Sequence, residues 1–148
     1  MNLLDNIVEG SSIIFEGKKY NVLGKCYYVT QKDPKTVYAK ILMNDHHVLV
    51  VSPTDNVAYF GKNFGQIREF DSFDTTVKFK EKYFEQVNTD YQIMIELVFG
   101  APLDVEGEVL YWDYESGDDI ISVAIVSRTN KRADVVAKYI DLFDVQIV

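Results

Sequence analysis

A chain of 148 residues is about the size of one domain, and with 47% apolar and 26% charged residues it can bury enough surface to fold, which excludes a wholly disordered protein. The 15 basic and 23 acidic residues leave a net charge of −8, so the molecule repels a phosphate backbone and nucleic acid is not an expected partner. No stretch reaches the ~18 apolar residues that span a bilayer, and Asp5 and Glu9 occupy positions where a secretion signal carries Lys or Arg, which points to a cytoplasmic protein without a transmembrane segment.

In chain order, Leu3, Leu4, Ile7 and Val8 are spaced for a short amphipathic helix. Ser12 to Glu16 reads as a strand that turns through Glu16-Gly17-Lys18 into a second, Lys18 to Val29. There Tyr20, Val22, Cys26 and Tyr28 fall on one face, and Gly24 marks a bulge or bend. After the turn at Lys32-Asp33-Pro34-Lys35, Val37 to Met43 alternates apolar and polar positions. Asn44-Asp45 suits a tight turn, and His46 to Val51 forms a strand stopped at Ser52-Pro53.

Val57 to Phe60 is a short run followed by a loop marked by Gly61, Asn63 and Gly65, and Gln66 to Thr75 has no period. Thr76 to Phe84 reads as one strand, with Val77, Phe79 and Tyr83 opposite Lys78, Lys80 and Lys82. Tyr91, Ile93, Ile95, Leu97 and Phe99 alternate with Gln92, Met94 and Glu96 as a further strand, ended by Gly100-Ala101-Pro102. Glu108 to Tyr114 and Ile120 to Ser127 flank a turn-rich Glu115-to-Asp119 connection and make a hairpin. Ala133, Val136, Ala137 and Ile140 fit a helical face, whereas Phe143, Val145 and Ile147 alternate as a strand does; a final strand preceded by a helical turn is predicted. The whole chain, 1–148, is predicted to be a single β-rich domain, a mostly antiparallel barrel or sandwich meander with little helix.

Between Tyr83 and Ser127 there is no Lys or Arg, while carboxylates accumulate from Glu85 to Asp119. Such a run attracts a cation or a basic partner, but its ordinary role is a solvated face. Asp113 to Asp119 superficially resembles a calcium loop, yet the ligand spacing is wrong and no Glu closes it. His46 and His47 are neighbours on a strand and point to opposite faces, so they do not share a metal. One of them, with a carboxylate, is the best general-base candidate, although no Gly-x-Ser-x-Gly elbow supplies a nucleophile. Cys26, the sole cysteine, lies on an apolar face where a thiol stays protonated. Gly61 to Gly65 lacks the spacing of a phosphate loop. Arg128, Lys131 and Arg132 surround the Thr129-Asn130 turn and read as a solvent-facing basic turn rather than an anion site.

Two stretches, Phe15 to Gly24 followed by Tyr27-Tyr28, and Val105 to Glu115 leading to Ile120-Ile121-Ser122-Val123, resemble the bacterial domain-of-unknown-function family numbered 4178. In that family a Gly-x-x-Tyr-x-Val-x-Gly strand opens the domain and a Trp-Asp-Tyr segment precedes a Leu-Ser or Ile-Ser strand. The resemblance implies a compact β-rich domain, carries no catalytic residue, and draws attention to Tyr20, Gly24, Trp112, Asp113 and Tyr114.

The sequence therefore predicts a non-enzymatic binding or assembly module, with a protein partner or a second copy engaging a strand edge or the acidic and aromatic surface of Trp112, Asp113, Tyr114 and Glu115. No catalytic residue, metal site or cofactor is predicted. The competing reading is a small enzyme or ligand-binding barrel whose pocket holds His46 or His47 with a carboxylate.

Overall fold

The computed structural model describes residues 3–53, 56–100 and 108–148. The expected stop at Ala101-Pro102, the carboxylates Asp104 and Glu106, and residues 105–107 of the second family-like stretch lie outside them. The described residues form twelve strands: β1 (Ser12–Phe15), β2 (Lys18–Thr30), β3 (Val37–Met43), β4 (His47–Ser52), β5 (Val57–Asn63), β6 (Thr76–Phe79), β7 (Lys82–Phe99), β8 (Glu108–Ser116), β9 (Asp119–Val126), β10 (Lys131–Arg132), β11 (Val135–Ile140) and β12 (Val145–Ile147). Each pairing is antiparallel, as the tight turns between successive strands require.

Strands β2, β3, β4, β5, β11, β9, β8 and β7 hydrogen-bond in that order, and β7 returns to β2, closing an eight-stranded barrel. Closure removes the free edges that an open sheet would present. Two flaps cover the outside. The first combines β1, the start of β2, β12 and a 3-10 turn at Leu3–Asn6, and it buries Leu4, Ile7, Ile13 and Phe15 against Ile41, Leu49 and Val51 of the barrel wall. The second combines segment 66–75, β6 and the start of β7, and it buries Ile67, Phe70, Val77 and Phe84 against Tyr114, Ile121 and Val123. Each fully buried side chain of this size contributes roughly 1.5–3 kcal/mol. Most of the apolar packing is thus placed outside the barrel wall, which leaves the interior to the alternate, more polar positions.

A bulge in β2 sets this division. Val22 pairs with Met43, and Gly24 pairs with Leu42, so Leu23 is an extra residue and the side chains exchange faces there. Tyr20 and Val22 consequently join the outer core, whereas Cys26 and Tyr28 follow Gly24 in register with Lys40 and Tyr38. The single apolar face expected for these four residues is in fact two. Lys25, just past the bulge, is buried, and its Nζ donates to the Leu4 carbonyl at 2.5 Å and the Ile7 carbonyl at 3.2 Å. The ammonium fastens the N-terminal segment as a 3-10 turn in place of the expected amphipathic helix.

Three further boundaries differ from the sequence reading. Thr76 to Phe84 is two strands, because Lys80 and Glu81 both adopt left-handed backbone angles (φ 48° and 64°) and turn the chain between β6 and β7. The helical spacing at Ala133 to Ile140 belongs to strand β11, and the helical turn, a 3-10 turn at Leu142–Asp144, follows it and precedes β12. β5 runs through Gly61 instead of ending before it. A Cβ at Gly61 would lie 2.1 Å from the Val136 carbonyl oxygen across the β5–β11 ladder, so only glycine permits this approach. Gly61→Ala is expected to lower stability by about 1–3 kcal/mol through forced separation of the strands; an unchanged urea midpoint would contradict this tight contact.

Candidate functional site

Inward positions on seven barrel strands enclose a cavity of about 100 Å³. A water molecule needs roughly 10–15 Å³ by this measure, so the space holds several waters or one small organic molecule. Its polar wall comprises Tyr38 and Lys40 from β3, Tyr59 from β5, Gln92 from β7, Tyr111 and Asp113 from β8, Ser122 from β9 and Tyr139 from β11. Val48 and Val50 of β4 and Ala124 of β9 supply apolar wall. His46 and Asn63 lie at one end.

Asp113 is the chemical centre. In register it lies between Asn88 of β7 and Ser122 of β9, so the three side chains are cross-strand neighbours on one face of the sheet. Burial raises its carboxyl from 3.8 to about 6 despite hydrogen bonds from Ser122 and Asn88 and the positive charge of Lys40, while Glu115 pushes it up further. Oδ1 is buried and accepts no hydrogen bond among the described residues. Asp113 and Tyr59 each retain some accessible surface although protein surrounds both on all sides; that surface belongs to the cavity rather than to the outside of the molecule.

Tyr59, Tyr111 and Tyr139 stay neutral. Burial raises Tyr59 well above the usual phenol range, and the charge of Asp113 adds to the effect. Burial, then Asp113, raises Tyr111, and burial, then its bond to Glu115, raises Tyr139. The Tyr139 hydroxyl donates to Glu115 Oε2 at 2.6 Å, and the Tyr59 and Tyr139 rings meet edge to face at 6.2 Å. Lys40 Nζ lies 4.3 Å from the centre of the Tyr28 ring, a contact that stabilises the half-buried ammonium. A carboxyl group, an ammonium and neutral phenols around one small space can hold a ligand by directed hydrogen bonds.

The four residues expected to make one binding surface do not share a face. Trp112 stacks on Phe73 of the second flap, with ring centres 4.4 Å apart, and Tyr114 is fully buried against Phe70. Asp113 faces the cavity, and Glu115 takes the Tyr139 bond. His47 packs on Tyr20 with ring centres 4.7 Å apart, and both it and His46, held at φ 62°, border the cavity. Cys26 is buried with Sγ 3.8 Å from the Lys40 carbonyl oxygen. Among the described residues no group of three His, Cys, Asp or Glu side chains is placed to hold a metal ion, and no helix is long and apolar enough to cross a membrane.

Arg132 corrects the expectation of a solvent-facing basic turn. Its guanidinium donates through Nε and Nη2 to the Asp134 carboxylate at 2.9 and 2.5 Å, and through Nη1 to Asp71 at 3.0 Å. This charge tethers the second flap to β11.

The sequence reading passed over Tyr38, Lys40, Tyr59 and Ser122, and it weighed Tyr111 as the lining of a ligand groove but favoured a core role for it. Their signal was present as polar or hydroxyl-bearing residues at alternate positions, but the apolar partners in each strand were taken as the inward set. On β7 the apolar side instead faces out: Ile95 and Leu97 are 53% and 48% exposed, while Asp90 and Gln92 are buried. No protein-family model, no curated protein and no solved structure matches this chain.

Proposed function

We propose that this protein is a binding module whose site is the barrel interior, and that it holds a small polar ligand by hydrogen bonds to Asp113, Ser122 and the surrounding tyrosines. The observation that carries this reading is Asp113, a carboxyl in the cavity wall whose buried Oδ1 has no hydrogen-bond donor among the described residues. A buried acceptor left unpaired costs about 1–3 kcal/mol, and an occupant with an N–H or O–H donor recovers that cost. The surface reading is the weaker one, because Trp112 and Tyr114 serve the second flap and its core. The kinship with family 4178 is likewise a proposal, resting on the two short stretches that carry it; it adds no activity to this reading.

The test is a ligand screen by nuclear magnetic resonance with small hydroxyl- and amide-bearing compounds, 4-hydroxybenzamide among them, on the wild type and on Ser122→Leu, which fills part of the cavity. Binding that shifts the Tyr59, Tyr111 and Ser122 signals and is lost in the variant supports the site. Shifts confined to outward residues such as Ile95 and Leu97, or no binding by any compound, contradict it.

A further inference from the structure

Beside the cavity lies an open cleft of about 430 Å³, and His46, Asn63 and Ala133 border both. Among the described residues the cleft is otherwise lined by Lys62, Phe64, Gly65, Lys131 and Arg132, with no carboxylate. In a molecule of net charge −8, a cleft bordered by three basic residues and a histidine is a local reversal of sign. Arg132 is neutralised by Asp134 and Asp71, but Lys62 makes no ion pair among the described residues. The Phe64 ring is 51% exposed, with Lys62 Nζ at 5.6 Å and Lys80 Nζ at 6.0 Å from its centre. Consecutive left-handed residues, Asp45 and His46, set the imidazole beside this cleft. A cationic cleft and a cavity walled in part by Asp113 thus adjoin across His46, Asn63 and Ala133.

We infer that the ligand is a small organic anion that enters through this cleft, with its carboxylate or phosphate held by Lys62, Lys131 and His46 and its uncharged hydroxyl or amine end donating to Asp113. The inference rests on the barrel-binding reading and adds the charge and orientation of the occupant. The aromatic ring of Phe64 and the tyrosine wall favour a flat body between the two ends. A metal-free, purely non-covalent mode suffices, because every group named acts as donor, acceptor or charge.

Titration calorimetry on the full chain with matched pairs tests it: 4-hydroxybenzoate against 4-hydroxybenzamide, and glycolate against glycolamide, with inorganic phosphate as a third arm. The acid of at least one pair is expected to bind about fivefold or more tightly than its amide at low salt, an advantage that added salt erodes. Lys62→Gln is expected to remove that advantage without weakening the amide, and Asp113→Asn to weaken both members. Circular dichroism of each variant confirms its fold, and 4-hydroxybenzamide binding supplies a second check of the site in Lys62→Gln. Equal affinity of acid and amide, with both lost in Asp113→Asn, overturns the anion while leaving the barrel site intact. Phosphate binding that needs Lys62 but ignores Asp113, in the absence of any acid binding, overturns the single-ligand arrangement. No binding by any acid or amide overturns both readings.

Discussion

Asp134→Ala is expected to destabilise the fold by about 3–5 kcal/mol, the usual cost of leaving one half of a buried ion pair without its partner. Asp134 is fully buried and the Arg132 side chain is 9% exposed, so water screens the pair little. The carboxylate also accepts the Ile67 amide at 2.9 Å, and the Asp134 main chain exchanges hydrogen bonds with Phe64 and Gly65. The substitution therefore orphans a guanidinium and an amide at once, and it loosens the flap that buries Phe70. Urea unfolding with hydrogen exchange at Ile67 measures this. A loss under about 1 kcal/mol, the range of an exposed pair, with Ile67 still protected, would show that the flap is held by packing alone.

Asp113→Asn is expected to act in the opposite direction. Folding raises this carboxyl from 3.8 to about 6, so between those values the folded state holds a proton that the unfolded state has released. Stability contributed by the neutral form is therefore present below about pH 4 and is lost as pH rises towards 6. Above that range the wild type carries a penalty of about 3 kcal/mol, from 1.36 kcal/mol for each pKa unit. The amide removes it. The variant should be more stable than the wild type at pH 7.5, by up to about 3 kcal/mol, and nearly equal to it at pH 4, while ligand affinity falls. A gain in stability bought with a loss of binding is the pattern of a functional site. Equal melting temperatures for the two proteins at pH 7.5 would place the carboxyl in a solvated setting.

The strands were largely legible because a two-residue period survives any tertiary arrangement, and the β1–β2, β3–β4 and β8–β9 hairpins follow from their turn residues. Which side of each strand faces inward was not legible. In β8, Trp112 and Tyr114 point to a flap that sequence periodicity does not reveal, since segment 66–75 earns its place through Phe70 and Phe73 packing far along the chain. In β2 the bulge at Leu23-Gly24 exchanged the faces, so Cys26 and Tyr28 parted from Val22. Asp113 was singled out between two aromatics, but its partners Lys40, Tyr59 and Ser122 come from three other strands, and only barrel closure brings them together. Turns with left-handed non-glycine residues, such as Lys80-Glu81, also carry no residue signature.

The most direct measurement is a carbon-13 titration of the Asp113 side-chain carboxyl, assigned by its loss in Asp113→Asn, with and without 4-hydroxybenzoate. The account predicts a midpoint near pH 6 in the free protein, and a displaced midpoint once the ligand donates to the carboxyl. A midpoint close to 3.8 that is indifferent to every added compound would mean that this carboxyl faces water and that the barrel interior is no binding site.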